Sequence, residues 1–236
     1  MDLSTARSAP GAGPSAVGAS DELVRPNQIF LRQKKDWSEI VFNLEARNAY
    51  EVFDAQRTPL GYVAEESGGI GTKIWRYFAR THRGFTVHVF DPARAPILKL
   101  WRKFFFLFSS LYVEDAGGRR LGEVQRRFGV LYKRYDLHDE SGVVFARIRS
   151  PRWRLWTFPV LSGLAADLEV ATISKKWGGA VHEFFTEADT FLIEFKDASL
   201  SPNQRKIVFA AAISVDFDFF EENTGFHLTD FFDWGN

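Results

Sequence analysis

The chain has no cysteine. That absence excludes disulfides, thiolate metal sites, cysteine nucleophiles and S-acylation, and it fits a reducing compartment. Residues 1–20 hold little besides Ala, Gly, Pro, Ser and Thr and lack an apolar core, so they are not a secretory signal and read as a flexible tail. A membrane-spanning run is missing as well. The best candidate, residues 207–220, would cover about 21 Å as a helix against roughly 30 Å of hydrocarbon. Extending it brings in Arg205 and Lys206 at one end and Glu221 and Glu222 at the other. Asp216 and Asp218 inside it would each cost about 2.5–3.5 kcal/mol at mid-bilayer. Catalytic signatures are also lacking. "HEFFT" (182–186) has no second histidine, "GGIGTK" (68–73) has its lysine misplaced for a phosphate loop, and no G-x-S-x-G elbow occurs. His82, His88, His138, His182 and His227 are scattered and read as surface or strand residues.

Apolar side chains are abundant: 45% of the 236 residues are hydrophobic and 24 are Phe, enough for a sizeable core. Residues 207–215 are apolar all round rather than striped, and a helix of that kind needs protein on every side. Four segments supply a candidate wall. "YEVFDAQRTPLGYVAEE", "FTVHVFDPARAPILKLWRK", "SLYVEDAGGRRLGEVQRRF" and "KRYDLHDESGVVFARIRS" each place an Asp and a Gly- or Pro-bearing turn between two alternating strands. Each reads as a β-hairpin. "ADLEVATISKKWGG" and "DTFLIEFKD" add further strands, so an antiparallel meander closed around the late helix is expected, with Asp216 and Asp218 near its mouth, satisfied by water or backbone donors. "KKDWSEIVFNLEARN" (34–48) reads as a short amphipathic helix.

"ISKKWGGAVHEFFTEADTFLIEF" (173–195) followed by "AISVDFDFFE" (212–221) closely resembles the phospholipid scramblase family, and "NAYEVFDAQRTPLGYVAEE" and "RLWTFPV" agree with its earlier strands. The resemblance runs in order over about residues 27–222. It implies a mainly β, tubby-like fold: a closed antiparallel barrel of about twelve strands enclosing a C-terminal hydrophobic helix at about 203–222. Residues 1–26 and 223–236 are then tails. It also implies a membrane-associated protein linked to transbilayer phospholipid movement, with calcium dependence in animal members.

Where animal members carry an acylated cysteine cluster, this chain has "WRKFFFLFSS" (101–110). Phe104, Phe105, Phe106 and Phe108 beside Arg102 and Lys103 are candidates for the bilayer interface, since successive strand side chains alternate faces and cannot all point inward. The family's calcium loop aligns with "EADTFLIEFKDA" (187–198), where Glu187, Asp189, Glu194 and Asp197 are the possible oxygen ligands. An EF-hand needs ligands at positions 1, 3, 5, 9 and 12 and Gly at 6; Phe191, Phe195, Ala198 and Leu192 occupy four of these six positions, so calcium binding is expected to be weak or absent and no cofactor to be required.

Charge is zero overall but unevenly spread. Residues 94–154 hold fourteen Lys or Arg against six Asp or Glu, and residues 183–236 hold three against eleven. Arg126, Arg127, Lys133, Arg134, Arg147 and Arg149 lie on neighbouring hairpins and are expected to face outward as a patch for lipid phosphates. The expectation is a monomeric, cytoplasmic protein, peripheral to the inner face of the plasma membrane, partnered by anionic phospholipid and not nucleic acid, with no bond-making or bond-breaking chemistry. The alternative is a non-catalytic tubby-like module that binds a phosphoinositide, a protein or nucleic acid.

Overall fold

The computed structural model describes residues 16–34, 46–66, 84–103, 109–154, 156–163, 168–176 and 190–219. A short helix, α1 (Ala16–Leu23), precedes β1 (Gln28–Gln33) and β2 (Ala46–Asp54). β3 (Pro59–Glu66), β4 (Phe85–Phe90), β5 (Pro96–Arg102) and β6 (Ser109–Asp115) follow, then β7 (Arg120–Arg127), β8 (Tyr132–Asp139) and β9 (Val144–Pro151). β10 (Thr157–Ser162), β11 (Glu169–Lys176), β12 (Thr190–Phe195) and the helix α2 (Pro202–Phe219) complete the described chain. Every strand pairs antiparallel with its sequence neighbour, and β1 also pairs with β12, for example Phe30 opposite Leu192, so the sheet closes into a barrel of twelve strands. The architecture expected from the residues and the resemblance is the one observed.

Alternation builds the wall. Val87, Leu100, Val113, Val124, Leu137, Ile148, Val160, Ile173 and Ile193 are all buried, and their neighbours along each strand are half-buried or exposed in most cases. The four expected hairpins are β2–β3, β4–β5, β6–β7 and β8–β9, and they share one turn. In each, the N–H of an Asp (54, 91, 115 or 139) donates to the carbonyl four residues on, and its Oδ1 accepts a backbone N–H from that same residue. The fourth residue takes positive φ: Arg57 at 64°, Arg94 at 69°, Gly118 at 82° and Gly142 at 81°. This is a type I turn closed by a left-handed residue, a standard three-residue hairpin loop.

α2 fills the bore. Its first turn carries a reciprocal cap, with the Gln204 N–H donating to Ser201 Oγ (3.2 Å) and the Ser201 N–H to Gln204 Oε1 (2.9 Å), and Pro202 opens the helix. From Lys206 to Asp218 all residues are buried. One strand comes especially close: a Cβ at Gly122 would lie 2.2 Å from the His138 carbonyl oxygen and 2.5 Å from Ile207 Cδ1, so only glycine fits there.

Two segments differ from the reading of the sequence. Residues 1–26 are not all tail: Ala16–Leu23 is helical, Ala19, Leu23 and Val24 join the core, and Asp21 pairs with buried Lys206 at 2.6 Å. Burying that lysine requires a carboxylate, and α1 supplies it. Ala46–Asn48, assigned above to a helix over 34–48, belong to β2; residues 35–45 lie outside the described residues, as do 220–236.

Candidate functional site

The barrel has two unlike ends. The four Asp turns and the N-terminus of α2 lie at one, here called the turn end. The C-terminal ends of β5, β7, β9 and β11 and the C-terminus of α2 lie at the other, the loop end.

At the loop end α2 meets a buried polar cluster. Asp216 and Asp218 are two residues apart, about 200° around a helix, so they face opposite walls. Asp216 accepts a hydrogen bond from the Tyr50 hydroxyl of β2 and pairs with Lys175 of β11 at 3.8 Å. Asp218 takes Arg102 Nη1 of β5 at 2.7 Å, the Tyr135 hydroxyl of β8 at 2.7 Å and Arg126 Nη1 of β7 at 3.5 Å. The helix carboxylates are therefore satisfied by side chains, not by the water or backbone donors expected from sequence. Burial first, and the Asp218 charge second, push the Tyr135 hydroxyl well above the usual phenol range, which keeps it a donor.

Lys133 completes this cluster from β8. Its ammonium sits over the Phe158 and Phe219 rings, 4.7 and 4.5 Å from their centroids. Burial, with the Arg152 charge second, lowers its pKa to about 8. Three cations, Arg102, Arg126 and Lys175, thus pair with the two helix carboxylates, while the Lys133 ammonium faces aromatic rings.

Two of the basic residues expected on an outer patch, Arg126 and Lys133, point inward instead, and so does Arg102, expected at the bilayer interface. Strand parity decides this: the Cα partners Arg126 and Tyr135 face α2, so Arg127 and its partner Arg134 must face out. Arg134 is in turn the Cα partner of Arg149. Arg127, Arg134 and Arg149 form a row of cations in register across β7, β8 and β9 on the outer wall. Arg127 Nε donates to Asp136 at 2.7 Å, Arg147 Nε lies 3.5 Å from the same carboxylate, and the Arg149 guanidinium stacks 4.3 Å from the Tyr132 ring centroid. Among the described residues no carboxylate pairs with Arg134 or Arg149.

Lys103 is exposed, its Nζ 5.6 Å from the Trp101 ring centroid. Phe104, Phe105, Phe106 and Phe108 lie outside the described residues, and so do Glu187 and Asp189. Glu194 lies on β12 and accepts from Gln28 Nε2 at 3.1 Å, while Asp197 caps the Ser199 N–H at 2.8 Å. Among the described residues no group of three or more His, Asp or Glu could hold a metal ion. No helix among them is long and apolar enough to cross a membrane.

Sequence reading missed the inner partners Tyr50, Tyr135 and Lys175, and the exposed apolar tips Phe128, Val130, Leu131, Trp153 and Trp156. A signal for the tips was present: "FGVLY" (128–132) puts apolar residues where a hairpin connection normally carries polar ones.

The profile of the Scramblase family matches residues 8–222. Altered inheritance rate of mitochondria protein 25 of Saccharomyces cerevisiae is 25% identical, over 83% of this chain and 71% of its own length. A phospholipid scramblase family protein of Schizosaccharomyces pombe is 23% identical over 86% of this chain and 62% of its own. Phospholipid scramblase 2 of Bos taurus is 22% identical over 86% and 71%. An Arabidopsis thaliana protein known from its X-ray structure aligns over 87% of this chain and 98% of its own at a TM-score of 0.47 and 16% identity. With the family profile covering nearly all of the barrel and its helix, this chain belongs to the scramblase family.

Proposed function

We propose that this protein binds phospholipid as a peripheral, monomeric component of the cytoplasmic face of the plasma membrane and lowers the barrier for headgroups to cross the bilayer. No covalent chemistry is involved. The observation that carries the binding half is the arginine row, Arg127–Arg134–Arg149, with Arg147 beside it. Like charges directly opposite on neighbouring strands are destabilising. Such a row is tolerated best where an anion neutralises it, and guanidinium matches phosphate oxygens two at a time. Basic residues at an anionic leaflet contribute about 1 kcal/mol each. Family membership supports the lipid as the anion and transbilayer movement as the activity.

The test is flotation with phosphatidylcholine vesicles with and without phosphatidylserine, at low and high salt. Binding is expected only to the anionic vesicles, to weaken with salt, and to fall in an Arg134→Glu/Arg149→Glu variant. Equal binding to neutral vesicles, or full binding by that variant, would rule the reading out. Transbilayer movement is read by dithionite quenching of a labelled lipid in proteoliposomes, with calcium and with chelator; a rate that does not depend on calcium is expected.

The filled bore favours a second reading. Lys206 through Asp218 are all buried, so among the described residues the helix fills the bore and leaves no water-lined path along it. Vesicle binding without any lipid flipping would select a binding module instead.

A further inference from the structure

The loop end exposes a cluster of large apolar side chains. Phe128 (68%), Val130 (70%) and Leu131 (62%) are the β7–β8 connection, and Trp153 (71%) and Trp156 (38%) belong to the β9–β10 connection. The two connections adjoin. The Arg152 N–H donates to the Leu131 carbonyl at 3.0 Å, Arg152 Nη2 donates to the Gly129 carbonyl at 3.0 Å, and the Trp153 and Tyr132 rings are 6.3 Å apart. A buried Ser150 hydroxyl donating to the Thr157 carbonyl at 2.8 Å ties the base of the second connection. The tips are therefore held on ordered backbone. Around them stand exposed Arg134, Arg149, Arg152 and Arg154. Among the described residues the turn end exposes only Val143 and Leu168 of this size class.

Single exposed apolar side chains are ordinary, but a cluster of them rimmed by polar residues marks an interaction site. Its composition selects the partner. Tryptophan with flanking arginine is the composition of a membrane–water interface, and aliphatic and phenyl tips reach the acyl boundary below the headgroups. The cationic rim adds the second signal that stable, reversible membrane attachment needs.

We infer that the loop end of the barrel enters an anionic phospholipid bilayer through Phe128, Val130, Leu131 and Trp153, so that the barrel stands end-on with the C-terminus of α2 toward the lipid. This rests on the lipid-binding reading above and adds which end and which side chains make the contact. The arginine row then lies along the wall just above the inserted tips, at headgroup height.

The native absence of cysteine makes the test direct. Single Leu131→Cys and Trp153→Cys variants and, at the turn end, Glu140→Cys are labelled with an environment-sensitive fluorophore and mixed with phosphatidylcholine–phosphatidylserine vesicles. The probes at 131 and 153 are expected to shift to the blue and become shielded from iodide, while the probe at 140 does neither. A Phe128→Ser/Val130→Ser/Trp153→Ser variant is expected to keep its fold, since these side chains pack outside the core, and to bind roughly tenfold more weakly or worse. If wild-type protein floats with anionic vesicles while probes 131 and 153 stay water-exposed and the triple variant binds undiminished, the insertion is wrong and the lipid-binding reading survives. If wild-type protein binds no vesicle, both fall. A solution dimer that the triple substitution dissolves would assign the patch to a second copy of the chain and overturn the inference.

Discussion

At the residue scale, burial decides what each charged side chain is worth. Asp218 is fully enclosed with Arg102, and removing one member of such a pair costs more than the pair itself contributes, because the other charge stays buried. Asp218→Ala is expected to destabilise by about 3–5 kcal/mol in urea unfolding, and an Arg102→Met/Asp218→Leu double variant by clearly less. Lys133 gives a pH signature. Its folded pKa of about 8 lies below the unfolded value of 10.5, so between those two pH values the unfolded chain binds the extra proton. Stability therefore rises with pH across that window. Tyr135 acts oppositely above pH 10, where the unfolded phenol ionises and the folded one does not. Lys133→Met should raise stability at pH 7 by something on the order of 1 kcal/mol, the lost contacts of the ammonium with the Phe158 and Phe219 rings offsetting the rest, and should flatten the rise. A chemical-denaturation series from pH 7 to 10 reads both.

At the scale of elements, the four shared turns set the register of eight strands. Arg57 and Arg94 sit in the left-handed conformation that Gly118 and Gly142 occupy in the sister hairpins. A Cβ at Gly142 would meet nothing within 4 Å, so Gly142→Ala tests the backbone alone and is expected to cost about 1 kcal/mol. Arg94→Gly removes the same penalty but loosens the unfolded chain, leaving a net gain of about 0.5 kcal/mol. Thermal melts of the two variants should move in opposite directions. The hairpins were legible because Asp with Gly or Pro between alternating runs is local chemistry. The β1 strand was not. "QIFLRQ" carries apolar neighbours at Phe30 and Leu31 because both of its faces are covered, Phe30 stacking on Phe53 at 5.6 Å, and that masks the alternation.

At the scale of the whole molecule, α2 is the core rather than an addition to it. Buried side chains from all twelve strands join one core cluster with those of the helix, and Lys206 at one end and Asp216 and Asp218 at the other lock the helix axially and in rotation. Truncation before Pro202 is expected to leave no native-like barrel; a soluble, folded monomer lacking α2, with its far-ultraviolet strand signal intact, would contradict this. The local pattern already dictated an apolar helix that water cannot surround, hairpins to surround it, and a family resemblance carried by residues 173–221. The sequence by itself could not say which arginines face outward and which face the helix. Adjacent pairs such as Arg126–Arg127 and Lys133–Arg134 differ only in parity, and parity is fixed by the register between strands, a property of the closed sheet rather than of any one segment. The same holds for Phe128 and Trp153: the tertiary structure alone brings two distant connections together at one end, because only barrel closure decides which loops become neighbours.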